Sequence, residues 1–328
     1  AAITGPFRGR KGSDTLQHHI IQACVKKLTT RFSPVQLQYM FRSYNDIYVK
    51  YCEKHRIAPH FVTTANGGTG FWIGNVSAQY IFVNFHGGGF AMDATKSYLE
   101  FWPSIQKDLA ARNIDTAWYY PTYTLTPHAS YPVQFKEAVE ALRYIVEDLG
   151  RQPSDIVLIG DSAGASCCLA LLSHLNHPCQ DLPPLQIDQP LKAAVLMSPW
   201  VSFSQDWPSC ANNAHKDIDA PAVTELWSEM FLNGTKSNAY TEAVLAPDEW
   251  WKETPVEQTL VLAGEDEVLL DAIIAWYRKY QVSTHNDTTI AIGAGECHVA
   301  PLIWPLFGDR HEIKQGQALK RWLSSCLS

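Results

Sequence analysis

A serine lies at the centre of the pentapeptide Gly-Asp-Ser-Ala-Gly at residues 160–164. The pattern Gly-x-Ser-x-Gly between a strand and a helix is typical of a sharp turn that presents a nucleophilic hydroxyl. Small residues on both sides let the chain turn without collision, and the N-terminus of the next helix favours negative charge there. The same pentapeptide would also fit an ordinary turn whose serine only caps the following helix. The apolar run at 155–159 and the helical pattern at 165–175 favour Ser162 as the nucleophile.

Three consecutive glycines follow His86, directly after the apolar run at residues 80–85. Glycines let the main chain approach a substrate and aim N–H groups at the oxyanion of a tetrahedral intermediate, each donor being worth about 2.7–4 kcal/mol. We assign this oxyanion hole to the N–H groups of Gly87, Gly88 and Ala163. We expect His86 to shape the loop by hydrogen bonding. A phosphate-binding loop is disfavoured because no Lys or Ser/Thr completes its motif.

A nucleophilic serine needs a base and an acid. Where the serine lies on a turn between a strand and a helix, the acid and then the histidine follow it along the chain. His298 lies in a glycine-rich loop after the strand predicted at 288–292, so it is the predicted base. The acid follows the strand predicted at 259–263, where four carboxylates occur within seven residues. Spacing alone leaves the choice among these four open.

Six short apolar runs alternate with helical patterns, which predicts a mostly parallel sheet covered by helices on both faces. The predicted strands are 80–85, 116–120, 155–159, 193–197, 259–263 and 288–292, and the predicted helices are 14–55, 132–149, 165–175 and 312–327. Ligands bind at the carboxyl ends of the strands in such a sheet. All the candidate residues above follow strands, so we expect them at one edge.

Composition excludes several classes of protein. The 328 residues are 46% hydrophobic and 18% charged, which is typical of a chain with a sizeable core. A net charge of −7 argues against a nucleic-acid partner, and no apolar run is long enough to span a membrane. Three Asn-x-Ser/Thr triplets and a first residue other than Met leave the location open between cytoplasmic and ER-lumenal or secreted.

From about residue 78 onward the chain resembles the hormone-sensitive-lipase-like branch of the α/β-hydrolases, which includes arylacetamide-deacetylase-like esterases. The motifs that carry the resemblance are His-Gly-Gly-Gly at 86–89 and Gly-Asp-Ser-Ala-Gly at 160–164. The stretch at 123–132 is similar to the family's Tyr-x-Leu-x-Pro-Glu. The chain departs from the family at His128, where glutamate is usual, and at Ala165, where glycine is frequent.

The resemblance implies which carboxylate is the acid. The family's acid begins an acid-x-Leu-x-Asp stretch, and residues 267–271 fit this pattern with Glu267 in the acid's place. Asp266 fits only with one extra residue and is the second choice. The resemblance also implies a helical cap built from residues 1–60 and an insertion at about 203–250, the catalytic domain being 61–328. No cofactor or metal is implied.

The function expected from this resemblance is hydrolysis of carboxylic esters of small to medium, fairly apolar substrates through an acyl-enzyme. The segment around Glu267 looks like fungal members, some of which act in natural-product pathways. Two alternatives stay open: another reaction in the same site, such as elimination, acyl transfer or amide cleavage, and a small-molecule-binding protein on a hydrolase scaffold. The expected partner is a small ester substrate, and the oligomeric state is open.

Overall fold

An eight-stranded sheet forms the centre of the computed structural model, which describes residues 5–7, 9 and 12–328. The strands lie in the order β1-β2-β4-β3-β5-β6-β7-β8. Strands β3 to β8 run parallel, whereas β2 pairs antiparallel with both β1 and β4. Their bounds are β1 Phe61–Thr63, β2 Thr69–Ile73, β3 Tyr80–Phe85, β4 Thr116–Pro121, β5 Ile156–Asp161, β6 Leu191–Met197, β7 Val256–Gly264 and β8 Asp287–Gly293. The predicted α/β fold with a mostly parallel sheet is confirmed.

Strand side chains alternate between two separate cores, one on each face of the sheet. Along β3, Ile81, Val83 and Phe85 join one cluster, while Phe82 joins the other. The helices that cover the faces are α4 Tyr98–Ala110, α5 Val133–Arg143, α6 Ala163–Asn176, α7 Pro208–Asn213, α8 Pro221–Leu232, α9 Leu270–Ser283, α10 Ala300–Leu306 and α11 Lys314–Cys326. A wider helical turn, Tyr144–Asp148, extends α5 almost to the predicted end of that helix.

The N-terminal region is helical, as predicted, but it is divided into three helices. These are α1 Leu16–Arg31, α2 Pro34–Met40 and α3 Tyr44–His55. The break before α2 follows from its capping box, in which Ser33 and Gln36 each bond the other's main-chain N–H. Ser43 caps α3 in a similar way through the N–H of Asp46.

The N-terminal helices contact the insertion at 203–250 and the loop after β3. Lys26 Nζ of α1 donates to the carbonyl of Ala214 at 2.7 Å. Gln38 of α2 donates to the carbonyls of Ala91 and Thr126, both at 2.8 Å. Residues 1–4, 8, 10 and 11 of the predicted N-terminal cap lie outside the described residues.

The parallel strands end together and so bring the predicted site residues to one edge. The turn at Ser162 follows β5, the segment holding Glu267 follows β7, and the loop of His298 follows β8. The glycine loop at 86–89 follows β3, the neighbour of β5. Across the described part of the chain, none of the helices combines the length and apolar character needed to cross a membrane.

Candidate active site

Ser162 occupies a strained turn between β5 and α6. Its backbone has φ 52° and ψ −122°, a conformation that L-residues rarely adopt. The flanking glycines are required, since a Cβ at Gly160 would lie 2.3 Å from the carbonyl oxygen of Gly164, and one at Gly164 would lie 2.0 Å from that of Phe85. The Ser162 side chain makes no capping hydrogen bond to α6, so helix capping does not explain the serine.

His298 and Glu267 meet in the interior. His298 Nδ1 lies 3.2 Å from Glu267 Oε2, and both side chains are buried. The other carboxylate oxygen, Oε1, accepts hydrogen bonds from Ser198 Oγ at 2.5 Å and from the Gly264 N–H. Asp266 points elsewhere and pairs with Lys216 Nζ at 3.0 Å. The structure therefore brings the first-choice acid to His298 and leaves the second choice in a separate ion pair.

The second nitrogen of His298 faces a carboxylate that sequence analysis did not identify. Nε2 lies 3.5 Å from Asp219 Oδ2, beyond ordinary hydrogen-bond length. Neither this nitrogen nor the Ser162 hydroxyl makes a hydrogen bond to any residue that the structure describes. In free enzymes, catalytic hydrogen bonds often form only when the substrate is bound.

The carboxylates around His298 determine its charge. Burial alone lowers the pKa of an imidazole, but the charges of Asp219, Glu267 and Asp217 raise the pKa of His298 to about 10. The pKa of Asp217 is itself raised to about 7, mainly by burial and next by the charge of Asp219. The buried cluster thus favours the imidazolium form of His298.

The glycine loop requires a correction to the predicted oxyanion hole. The N–H of Gly87 is already used, because it donates to Asp161 Oδ1 at 3.1 Å and to Tyr98 Oη at 3.2 Å. The N–H groups of Gly88 and Gly89 find no acceptor among the described residues, and both glycines have positive φ, 106° and 60°.

Ala163 begins α6, and the first N–H groups of a helix have no partner within it. The loop packs onto the serine turn, since a Cβ at Gly87 would lie 3.1 Å from Ser162 Cβ. Within the described chain, the N–H groups of Gly88, Gly89 and Ala163 are thus left without an acceptor, whereas that of Gly87 is bonded.

A family model described as the alpha/beta hydrolase fold matches residues 82–302. The chain belongs to the α/β-hydrolase family. An esterase of Fusarium pseudograminearum is 31% identical over a region that covers 65% of this chain and 63% of the relative. Arylacetamide deacetylase of Bos taurus is 29% identical over 44% of this chain and 36% of the relative.

Among solved structures, an esterase from the bacterial hormone-sensitive lipase family has a TM-score of 0.70, with 20% identity over 96% of this chain and 98% of that one. These findings confirm the fold and the resemblance to the branch that includes arylacetamide deacetylases. The matched regions span only about half the length of several curated relatives, 55% and 56% in two bacterial acetyl-hydrolases.

His86 stabilises the glycine loop of this α/β-hydrolase through a hydrogen bond and a stacked ring. Its Nδ1 lies 2.6 Å from the Gly87 carbonyl, and its ring stacks on Tyr123 with centroids 4.4 Å apart. Tyr123 Oη in turn donates to the His86 carbonyl at 2.7 Å. Burial lowers the pKa of His86, so a neutral ring is favoured. These contacts suit a residue that shapes the loop.

Asp161 connects the serine turn of the α/β-hydrolase to the glycine loop. Its buried carboxylate accepts from Tyr98 Oη at 2.6 Å and from the Gly87 N–H. Burial raises the pKa of Asp161 to about 7, against the opposing effect of these hydrogen bonds. The position lies inside the Gly-x-Ser-x-Gly motif, but nothing in the motif indicated this contact, and Tyr98 gave no signal at all.

Two further residues that sequence analysis missed position Glu267 and His298. Ser198 directly follows β6 with φ 48°, and its hydroxyl bonds Glu267 and accepts the Val299 N–H at 3.2 Å. A polar residue directly after a predicted strand was the available signal. Asp217 accepts the N–H groups of His298 and Val268, both at 2.8 Å. It comes from the 203–250 insertion, where no pattern marked it.

The aromatic residues of that insertion serve mainly in packing. Phe231 is fully buried and stacks on Phe90 with centroids 4.1 Å apart. Trp227 contacts the glycine loop, since a Cβ at Gly89 would lie 2.3 Å from its ring. Trp227 thus fills the space beside Gly89.

A cavity of about 1250 Å³ lies elsewhere, between α3, α4, α10 and the start of α11. Seven of its lining residues are Lys or Arg: Arg42, Lys50, Lys54, Lys96, Lys107, Arg310 and Lys320. Neither Ser162 nor His298 lines it, so it is not the place of the proposed chemistry.

Proposed function

We propose that this α/β-hydrolase is a serine esterase that cleaves carboxylic esters through an acyl-enzyme. The observation that carries the proposal is the buried His298–Glu267 contact at the sheet edge where Ser162 lies on its strained turn. The relatives support it, because several are named esterases or acetyl-hydrolases. The order serine, acid, histidine along the chain also agrees with this family's mechanism.

In the proposed mechanism His298 Nε2 takes the Ser162 proton as Oγ attacks the ester carbonyl. Glu267 accepts the Nδ1–H and stabilises the imidazolium that forms. The N–H groups of Gly88, Gly89 and Ala163 hold the oxyanion, with Gly89 replacing the originally assigned Gly87. The imidazolium then protonates the leaving alcohol, and a water molecule repeats the sequence on the acyl-enzyme.

We propose small to medium, fairly apolar esters as substrates and residues 1–60 with 203–250 as the cap. Ser162 is only 8% exposed, so the protein encloses the reacting group. Trp227 offers an apolar surface beside the glycine loop. Fungal esterases among the relatives prompt the finer proposal that natural-product esters are processed.

The test combines turnover with active-site labelling. We expect hydrolysis of short p-nitrophenyl acyl esters and covalent labelling by a fluorophosphonate, both lost in Ser162→Ala. Ser104→Ala, a change at an exposed serine of α4, is the matched control and should keep both. Full activity in Ser162→Ala would remove this serine from the mechanism. Labelling without ester turnover would favour acyl transfer, elimination or amide cleavage. The absence of both labelling and turnover would favour a binding protein.

A further inference from the structure

A carboxylate from the insertion lies beside the atom that must accept the serine proton. Asp219 Oδ2 is 3.5 Å from His298 Nε2, and the His298 side chain is 4% exposed against 24% for Asp219. In the reaction proposed above, Nε2 has to be unprotonated before Ser162 can attack. A negative charge at this distance favours the protonated ring instead.

We propose that Asp219 is a positioning residue that holds His298 as the imidazolium in the free enzyme, so that activity appears only as the pH rises well above neutrality. The inference rests on the proposed esterase function and adds to it a pH control located in the insertion. Asp219 acts through the charge that it places beside His298 Nε2 and itself neither takes nor gives the serine proton.

Asp219 differs from Glu267 and Asp217 in the hydrogen bonds that its carboxylate accepts. Glu267 is held by Ser198 and Gly264, and Asp217 is held by three main-chain N–H groups. Asp219 accepts no hydrogen bond from a residue that the structure describes, and its ion pair is with His298. Burial raises the pKa of Asp219, whereas the positive charge of His298 lowers it, so the carboxylate and the imidazolium each favour the charged form of the other.

Charged groups on every element around His298 contribute to this balance. Glu267 comes from the segment after β7, Asp217 and Asp219 from the insertion, and Asp161 from the end of β5. Lys26 of α1 is a cation that acts on both insertion carboxylates, and its Nζ donates to the Ala214 carbonyl. Carboxylates thus predominate around the ring, and Asp219 is the one beside Nε2.

The proton balance is simple. The resting imidazolium loses its Nε2 proton to solvent, and the neutral ring then accepts the Ser162 proton while the Oγ–carbonyl bond forms. That second imidazolium, again stabilised by Asp219, gives its proton to the leaving alcohol as the ester bond breaks. The pH dependence resides in the first step alone, because the second step only moves a proton within the site.

The test is the pH profile of kcat/KM for wild type and for Asp219→Asn, which removes the charge and keeps the shape. A single opposite charge within about 4–6 Å shifts a pKa by about one to three units, so the acid limb should move to lower pH by about one unit or more. At pH values below both limbs this raises kcat/KM about tenfold or more. Asp219→Glu should restore the high limb, and Asp248→Asn, at an insertion carboxylate that is 89% exposed, should leave it in place.

Two results would overturn the inference. One is an acid limb in the wild type at or below the ordinary pKa of histidine, a measurement that needs no variant. The other is an unmoved limb in folded Asp219→Asn. The rate of fluorophosphonate labelling against pH gives the same readout without an ester. If Ser162 is labelled but the limb does not move, this inference fails while the proposed function stands; if Ser162 is not labelled at all, the function itself fails.

Discussion

Replacing Glu267 by glutamine tests the acid with the shape of the side chain preserved. Oε1 of Glu267 receives two donors, Ser198 Oγ and the Gly264 N–H, and Oε2 faces His298 Nδ1. A glutamine at this position must direct its amide oxygen toward Ser198 Oγ and the Gly264 N–H, because its NH₂ group cannot accept their hydrogen bonds. Its NH₂ group then points at Nδ1, which must become an acceptor and lose its hydrogen.

This orientation fixes the wrong tautomer of His298. With Nδ1 unprotonated, the neutral ring carries its hydrogen on Nε2 and cannot accept the Ser162 proton. The same type of change in a serine protease triad lowers kcat by about 10⁴-fold with the geometry intact. We expect a loss of about 10³–10⁴-fold in kcat for Glu267→Gln, with KM little changed.

The matched control is Asp266→Asn, one residue away. Asp266 is buried, at 6% exposure, and pairs with Lys216, whose side chain is 28% exposed. Its replacement should therefore lower the free energy of unfolding by about 1–3 kcal/mol but leave kcat within a few-fold. Both variants would be measured on p-nitrophenyl acetate, with circular dichroism and thermal unfolding to establish folding. If folded Glu267→Gln keeps more than a tenth of wild-type kcat, or if the two variants lose activity equally and mildly, the acid lies elsewhere.

Two more changes test residues that position the site. Tyr98→Phe removes the 2.6 Å hydrogen bond to the buried Asp161 carboxylate, so the free energy of unfolding should fall by about 1–3 kcal/mol. Because the pKa of Asp161 in the folded protein is about 7, this loss of unfolding free energy should be larger at pH 8, where the carboxylate is charged, than at pH 5. An equal difference between Tyr98→Phe and wild type at the two pH values, measured by thermal unfolding, would contradict the prediction. Ser198→Ala leaves the Val299 N–H without its acceptor and Glu267 without one donor, so kcat should fall more than in Ser204→Ala, an exposed serine, and equal rates would argue against a positioning role.

Most of the sheet could be predicted from the sequence because strands β3 to β7 are largely buried on both faces and appear as apolar runs, whereas β8 is more exposed. All six predicted strands correspond to β3–β8 within a few residues. The two antiparallel strands, Phe61–Thr63 and Thr69–Ile73, were missed. They are three and five residues long and joined through Gly67 and Gly68, too short for a pattern of alternation to show.

The candidate site likewise contains residues that local sequence patterns indicated and residues that they did not. Ser162, His298 and the glycine loop each follow a strand, so the sequence indicated the edge of the sheet at which each of them lies. Which N–H of the loop remains free depends on a contact with Asp161, 74 residues away, and no local pattern shows such a pairing. The contribution of the insertion was unpredictable for the same reason: Asp217 and Asp219 reach His298 only through the tertiary fold.

The insertion at 203–250 therefore contributes directly to the surroundings of His298. Asp217 accepts the N–H of Val268, next to Glu267, and the N–H of His298 itself, so a single buried carboxylate ties the acid segment to the base loop. Two residues further on, Asp219 faces Nε2 of the same ring. A displacement of this segment would therefore alter both the placement and the charge of His298. One short segment of the insertion thus both positions the main chain of His298 and places a charge beside its ring, and Lys26 of α1 bonds the same segment at the Ala214 carbonyl.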